Sequence, residues 1–301
     1  MYSPPPHSEQ LIVSFPDEHV MLLTLNRPKS RNAMTPQMQR DLETVLDWFS
    51  EESGLWVAIV TGAGKLFCAG ADLVEWNKDQ QSGKIEEQER LTANRNGFGS
   101  ISRRQLIKPL IAAVNGEDAK FALPEVKRGV VAGAGGIPRL FQIAGHHIAA
   151  EMLLTGKTVS ASEAHKRFGF VNKVVPSSEV VLEAIRVAQS IVANSPDAVQ
   201  CTKHALLLSQ KYNPEEAFLK STFSAESNRV YKGGNIKEGL KAFIEKRSPA
   251  WKNPSKFPIG LNFEGSRVST KSRKHKFKKK IYYVHMYFYR NLSHRVGHCK
   301  L

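Results

Sequence analysis

At 301 residues, with 41% hydrophobic and 24% charged side chains, the chain has the composition of a globular protein with a sizeable core, not of a disordered or fibrous one. Its formal charge of +15 would point to nucleic acid if it were evenly spread, but Ile259 to Leu301 holds eleven Lys or Arg against one Glu. That net of +10 leaves +5 on the first 258 residues, so the body is only mildly basic.

No run approaches the roughly 20 apolar residues that cross a bilayer. The opening Met-Tyr-Ser-Pro-Pro-Pro has neither the basic start nor the apolar centre of a signal peptide, so a reducing, intracellular location is expected. Cys68, Cys201 and Cys299 are too few and too far apart for a disulfide framework or a zinc cluster; free thiols and no metal site are expected.

Taken in order, residues 1–10, with three successive prolines, read as a disordered lead-in. Residues 11–15 and 19–25 read as two strands of a hairpin at a sheet edge. Thr35 followed by Pro36 is a helix start, and Met38, Leu42, Val45, Leu46 and Phe49 recur at helical spacing as far as Ser50. Residues 55–61 are β-branched and uncharged, the pattern of a strand buried on both faces, stopped by Gly62 and Gly64.

The polar stretch 77–104 reads as a partly helical surface segment, either a lid or a solvated connector. Residues 108–114 form another buried strand, stopped by Asn115-Gly116. Residues 148–155 read as a helix ended by Gly156, and Ser160-Ala-Ser-Glu163 is a capping box opening a short helix that stops at Gly169. One more strand is expected at 170–175, then helices at 178–193, 198–208, 215–231 and 237–247.

The loop after the buried strand concentrates the small residues Cys68, Ala69, Gly70 and Ala71 ahead of Asp72. Small residues at a strand-to-helix turn let free backbone N–H groups face an anion or a polarised carbonyl, although many such loops only turn the chain. Two nucleotide motifs are excluded. Ile59 sits where a P-loop needs glycine, and Leu66 replaces its Ser or Thr. In Gly133-Ala-Gly-Gly-Ile-Pro138, proline stands where a dinucleotide fold needs its third glycine. Cys68 has no nearby histidine to activate it, so a packed thiol is the plainer reading than a nucleophile.

Seven blocks together resemble the crotonase superfamily, the enoyl-CoA hydratases and isomerases. They are Leu25-Asn-Arg-Pro28 with Arg31-Asn-Ala33, Lys65-Leu-Phe-Cys-Ala-Gly-Ala-Asp-Leu73, Lys108-Pro-Leu-Ile-Ala-Ala-Val-Asn-Gly116, Phe121-Ala-Leu-Pro-Glu125, Gly133-Ala-Gly-Gly-Ile-Pro-Arg-Leu140, Leu153-Leu-Thr-Gly156, and Glu238-Gly-Leu-Lys-Ala-Phe-Ile-Glu-Lys-Arg247. The resemblance covers about residues 11 to 252. It implies an α/β fold with a crotonase-like core of repeated ββα turns at 11–195, carrying an acyl-CoA site, and a C-terminal helical trimerisation region at 196–254.

It further implies a homotrimer or hexamer, an acyl-CoA substrate, and no metal or redox cofactor, coenzyme A being part of the substrate. By position, Ala71 offers an N–H to the thioester oxygen. Ala69, Gly70, Asp72 and Leu73 line the coenzyme A path, Arg31 meets a phosphate, and Phe243 and Lys246 close over the nucleotide. Glu125 is the acid/base that the resemblance implies, because it matches the glutamate of the family's Pro-Glu block, and the apolar run before it would desolvate the carboxyl, as suits a proton carrier at neutral pH; taken alone, a Glu after a proline is more often a turn residue. A lone surviving glutamate suits a one-base isomerisation somewhat better than hydration. The blocks are most similar to those of filamentous-fungal members, which implies β-oxidation or the tailoring of acyl chains for secondary metabolites such as toxins.

One departure stands out. The family's Asn-Gly leads into a Gly-Gly-Gly stretch that supplies the second oxyanion N–H, with a second glutamate beyond it. Here Asn115-Gly116 runs straight into Glu117-Asp-Ala-Lys-Phe121, and Glu117 is not a convincing replacement. Either a segment is lost from the reading of the gene, which the regular flanking blocks favour, or the chain folds as written and is a catalytically weak or non-catalytic relative.

Residues 255–301 differ in composition. Basic residues run into Ile281-Tyr-Tyr-Val-His-Met-Tyr-Phe-Tyr289, which reads as a disordered tail or, alternatively, as a binder of nucleic acid or an anionic membrane surface. Cys299-Lys300-Leu301 resembles a peroxisomal address, so the peroxisome and its import receptor are expected, with the cytoplasm as the alternative.

Overall fold

The computed structural model describes residues 2–82, 95–116 and 118–255. Glu117, the tail from residue 256 on, and with it Cys299, Lys300 and Leu301, lie outside the described residues.

β1 (Leu11–Asp17) and β2 (Val20–Leu25) pair antiparallel, as the hairpin pattern requires. α1 (Pro36–Glu51) begins where Thr35 accepts a hydrogen bond from the Met38 N–H at 3.1 Å, with Pro36 at its first position. The helix returns the chain to β3 (Val57–Gly62), which lies parallel to β2, and β4 (Leu110–Ala112) lies parallel to β3. The sheet order is β1-β2-β3-β4.

Both faces of this sheet are covered. Met21, Leu23, Leu25, Ala58 and Val60 pack against Met38, Leu42, Val45, Leu46 and Phe49 of α1. Val20, Val57 and Ile59 point the other way, onto Ala184 and Ala188 of α5 (Val180–Val192). A strand with helices on both sides has no polar face, and this is why residues 55–61 read as uninterrupted apolar sequence.

A second cluster forms around β5 (Lys120–Ala122) and β6 (Thr158–Ser160), an antiparallel pair flanked by α3 (Gly136–Ala144) and α4 (His146–Thr155). Leu140, Met152, Val159 and Phe168 are its buried members. The chain then continues through α6 (Pro196–Ser209), α7 (Pro214–Thr222), α8 (Ala225–Lys232) and α9 (Gly234–Ile244); α2 (Leu73–Ser82) lies earlier, after the glycine loop.

Several expectations need correction. Residues 2–10 are held in place: the Tyr2 hydroxyl donates to Gly54 O at 2.8 Å and its ring lies 5.0 Å from that of Phe15. Residues 170–175 form no strand. Phe170 packs edge-on to Phe121 and Phe168, and the Val171 carbonyl is taken by the His165 ring instead of a neighbouring strand. The helix expected at 215–231 is two helices, because Ser224 breaks it and caps α8 by accepting from the Ser227 N–H.

Lys108 shows how the layers are joined. Its ammonium, buried beneath α1, donates to Phe49 O at 2.6 Å and Glu52 O at 2.7 Å, closing the C-terminal end of that helix, while Lys203 of α6 donates to Lys108 O at 2.7 Å. Burial pushes both lysines down to about 8, with Glu52 opposing and Arg229 adding to the shift at Lys108. Between that value and the ordinary 10.5 the unfolded chain holds more protons, so stability rises with pH across the window. Urea unfolding between pH 8 and 10 should show a gain of up to about 1.4 kcal/mol per pH unit from each lysine, and Lys203→Met should remove one lysine's share.

Candidate active site

The site starts where β3 leaves the sheet. A Cβ at Gly62 would overlap the carbonyl oxygens of Leu66 and Phe67, so only glycine lets the loop fold back this tightly. Asn115, just past β4, donates to Gly62 O at 2.8 Å and Gly64 O at 2.9 Å and accepts from the Gly62 N–H at 3.1 Å. From the other side Asn32, fully buried, donates to Ala63 O at 2.9 Å and Leu66 O at 2.7 Å.

The loop's second half pairs with residues 31–34. The Ala69 N–H donates to Arg31 O at 3.0 Å, Met34 N–H to Gly70 O at 2.8 Å, and Asp72 N–H to Met34 O at 3.1 Å. The Gly70 N–H faces the Cys68 sulfur at 3.4 Å, and Gly70 holds a φ of 96° that glycine favours. In such a parallel bridge, here Met34 with Ala71, the bridged residue turns its own N–H and C=O to the far side. The Ala71 N–H is therefore left over, with no hydrogen-bond partner among the described residues, while its neighbours at 69, 70 and 72 are occupied.

Asp72 stands at the start of α2, its carbonyl accepting from Trp76 N–H, and its carboxylate pairs with Arg27 at 3.1 Å. Arg31 has a left-handed backbone and an exposed side chain beside Ala69; Leu73 is exposed on α2. The structure thus gathers Arg31, Ala69, Gly70, Ala71, Asp72 and Leu73 into one surface. Burial, opposed by the Gly70 N–H, pushes the Cys68 thiol up, which suits a packed thiol.

Glu125 opens the short turn Glu125–Arg128 after β5. Phe121 and Leu123, four and two residues back, pack into the second cluster, and one carboxylate oxygen of Glu125 is buried with no hydrogen-bond partner among the described residues. Phe243 is 84% exposed near the end of α9, and Lys246 follows that helix in a left-handed conformation. No hydrogen bond or ion pair among the described residues joins Glu125, Phe243 or Lys246 to the 69–73 loop.

A cleft of about 620 Å³ opens beside the loop that follows Glu125, lined in part by Arg95, Arg103, Gly133, Gly135 and Arg139. Burial and the neighbouring Arg103 hold the Arg139 guanidinium below its usual value. Neither Ala71 nor Glu125 lines this cleft, so it is not where the proton chemistry is expected. Among the described residues no group of three or more His, Cys, Asp or Glu could hold a metal. Arg27 and Asn32 were legible as parts of a motif, but their task was not, since their partners lie up to 45 residues away.

A layered α/β protein with a spare N–H at a small-residue loop and a carboxylate at the end of an apolar run has the elements of an acyl-thioester enzyme. The chain belongs to the enoyl-CoA hydratase/isomerase family, whose model matches residues 16–118 and 116–254. It is 40% identical over 274 residues to the mevalonyl-coenzyme A hydratase of Aspergillus fumigatus, covering 83% of this chain and 97% of that one. It is 33% identical over 268 residues to the 2,3-dehydroadipyl-CoA hydratase of Escherichia coli, covering 81% and 98%. An enoyl-CoA hydratase from Bacillus anthracis superposes with a TM-score of 0.72 at 32% identity, over 81% of this chain and 99% of that chain, and shows the crotonase-type fold.

The family match breaks at the Gly116–Asp118 junction. The fungal alignment of 274 positions draws on only 83% of this chain, about 250 residues, so that relative carries positions this chain lacks.

Gly62→Ala should cost more than about 2 kcal/mol in urea unfolding, because backbone rather than a flexible side chain blocks the added methyl. An unchanged midpoint would mean that the loop can move aside.

Proposed function

We propose that this protein is an acyl-CoA enzyme that moves a proton on an enoyl or hydroxyacyl chain, with the thioester oxygen on the Ala71 N–H and Glu125 as the proton carrier. The observation that carries this reading is the spare N–H of Ala71. A backbone donor fixed before substrate arrives stabilises an enolate-like oxygen without reorganising. The Glu125 carboxylate takes the proton from the carbon next to the thioester carbonyl of a 3-enoyl chain, the electron pair runs into the thioester oxygen, and as that pair returns to form the double bond beside the carbonyl the acid so formed gives the proton to the γ carbon, which the double bond has left. This needs one carboxylate and is double-bond isomerisation; hydration needs a second group to hold and deprotonate water. The relatives named as mevalonyl-coenzyme A hydratases support a short, branched, oxygenated acyl group as the first substrate to try.

The test is exchange and product formation in D₂O, monitored by NMR, with a short branched enoyl-CoA. Deuterium should enter next to the carbonyl, and Glu125→Gln should slow this at least ~100-fold with little change in acyl-CoA binding. A hydrated product would replace isomerisation by hydration as the reaction. Binding without exchange in the wild type would favour a second reading, a non-catalytic acyl-CoA binder, for which the break in the family match at 116–118 speaks.

We further propose self-association as a trimer or a pair of trimers. Phe218, Phe223, Tyr231, Leu240 and Ile244 are large, apolar and exposed on the C-terminal helices and the residue that ends α7, more apolar surface than isolated exposed residues explain. Sedimentation equilibrium should give three or six chain masses, and Phe223→Glu should shift the population to smaller species; a monomeric wild type would end this proposal.

A further inference from the structure

Residues 31–34 and 69–72 meet outside the main sheet, so something other than the sheet must hold them in register. Arg27 reaches both. Its Nη1 donates to Ala33 O at 2.6 Å and to Asp72 Oδ2 at 3.1 Å, and the pair is shielded, with side-chain exposures of 22% and 16%. Its backbone N–H donates to Asn32 Oδ1 at 2.8 Å, and the Asn32 amide in turn holds the carbonyls of Ala63 and Leu66. One arginine therefore fastens both sides of the Met34–Ala71 bridge, and the asparagine bound to its backbone fastens the start of the same loop.

We propose that Arg27, acting through Asp72 and Asn32, is the positioning residue that fixes the direction of the Ala71 N–H. The proposal deepens the acyl-CoA reading above and rests on it. Arg27 does not touch the substrate; it decides where a donor that does so points. Hydrogen bonds weaken steeply once the donor angle falls below about 120°, so a loop free to rock would lose much of the benefit of a preorganised N–H. The planar guanidinium can serve a carbonyl and a carboxylate from one fixed position, and a lysine ammonium on a flexible stem cannot hold the same geometry. Asp72 adds to the hold because its charge also favours the N-terminal end of α2.

The test is amide hydrogen exchange on the full, ligand-free chain, comparing wild type with Arg27→Met and Arg27→Lys. Arg27→Met should speed exchange at Ala69, Asp72 and Met34 at least tenfold while Val57 to Val60 change less than twofold, and Arg27→Lys should fall between. If Arg27→Met does not fold, Asp72→Asn serves for the same readings at Ala69 and Met34. Unchanged exchange at these amides, or an equal rise at every amide, would overturn the proposal; the second outcome would mean that Arg27 only adds global stability.

A second readout separates this from the acyl-CoA reading itself. The infrared carbonyl stretch of a bound enoyl-CoA should move to lower frequency in the wild type and recover at least half of that shift in Arg27→Met, with the dissociation constant changed less than threefold. A wild-type protein that binds the thioester without moving its stretch would sink the Ala71 reading, whatever the exchange pattern shows about the loop.

Discussion

Everything in this molecule is hung on β3. Val57 and Ile59 are buried against α5 and Ala58 and Val60 against α1, so the strand can neither slide by one residue nor tilt without exposing one of two cores. Its end is therefore a fixed point in space. The loop that departs from it inherits that rigidity through two asparagines, which between them occupy the carbonyls of Gly62, Ala63, Gly64 and Leu66. A buried side-chain amide is tolerated only when its donors and acceptor are matched, and Asn32 has all three in use. Among the described residues the spare donor arises by subtraction: once the N–H groups of residues 69, 70 and 72 have partners, the one at Ala71 remains.

The helical region solves a different problem. Exposed Phe, Tyr and Leu residues give α7 to α9 little to distinguish one packing from another, and a buried polar network supplies the distinction. Asp197 pairs with Arg229 at 2.7 Å and accepts from Asn235 at 2.6 Å; Arg229 also donates to Gln200 at 2.6 Å, and His204 meets Glu226 at 2.9 Å. Buried pairs of this kind add little net stability, but leaving one partner behind costs about 3–5 kcal/mol, so a shifted helix is penalised heavily. Asn235 extends the network to the backbone of Lys252, and Trp56 on the sheet side bonds Asn253, which anchors the end of the described chain to the core.

The parts of the fold legible in the sequence are those where a local signal and the tertiary environment agree. Thr35-Pro36 starts α1, its apolar residues keep helical spacing, and the unbroken apolar run of β3 states that both faces are covered. The parts that escaped are those decided by distant partners. The six residues of β5 and β6 become strands only because they meet each other, residues 170–175 have strand composition but no strand to pair with among the described residues, and α3 opens on glycines that read as loop although Pro138 is tolerated in a first turn. The site divides in the same way. The run of small residues marked the loop whose Ala71 N–H has no partner among the described residues, whereas the clamp built from Arg27 and Asn32 depends on contacts that no local pattern encodes.

On the proposed function, the magnitudes bear on what the present junction leaves in place. An oxyanion donor is worth roughly 10²–10³ in rate, and a positioned acid/base roughly 10²–10⁴. The loop after β3 holds the Ala71 N–H without help from the residues beyond Gly116, because its fastenings come from residues 27–34 and from Asn115. The buried carboxylate oxygen of Glu125 is likewise set by the run from Phe121, on the far side of the junction. The break therefore falls between two units that are each built locally. What it puts at stake is their mutual distance, and since a 1 Å misplacement of reacting groups can cost about 10²-fold, that distance weighs, on the proposed function, as much as a missing hydrogen bond.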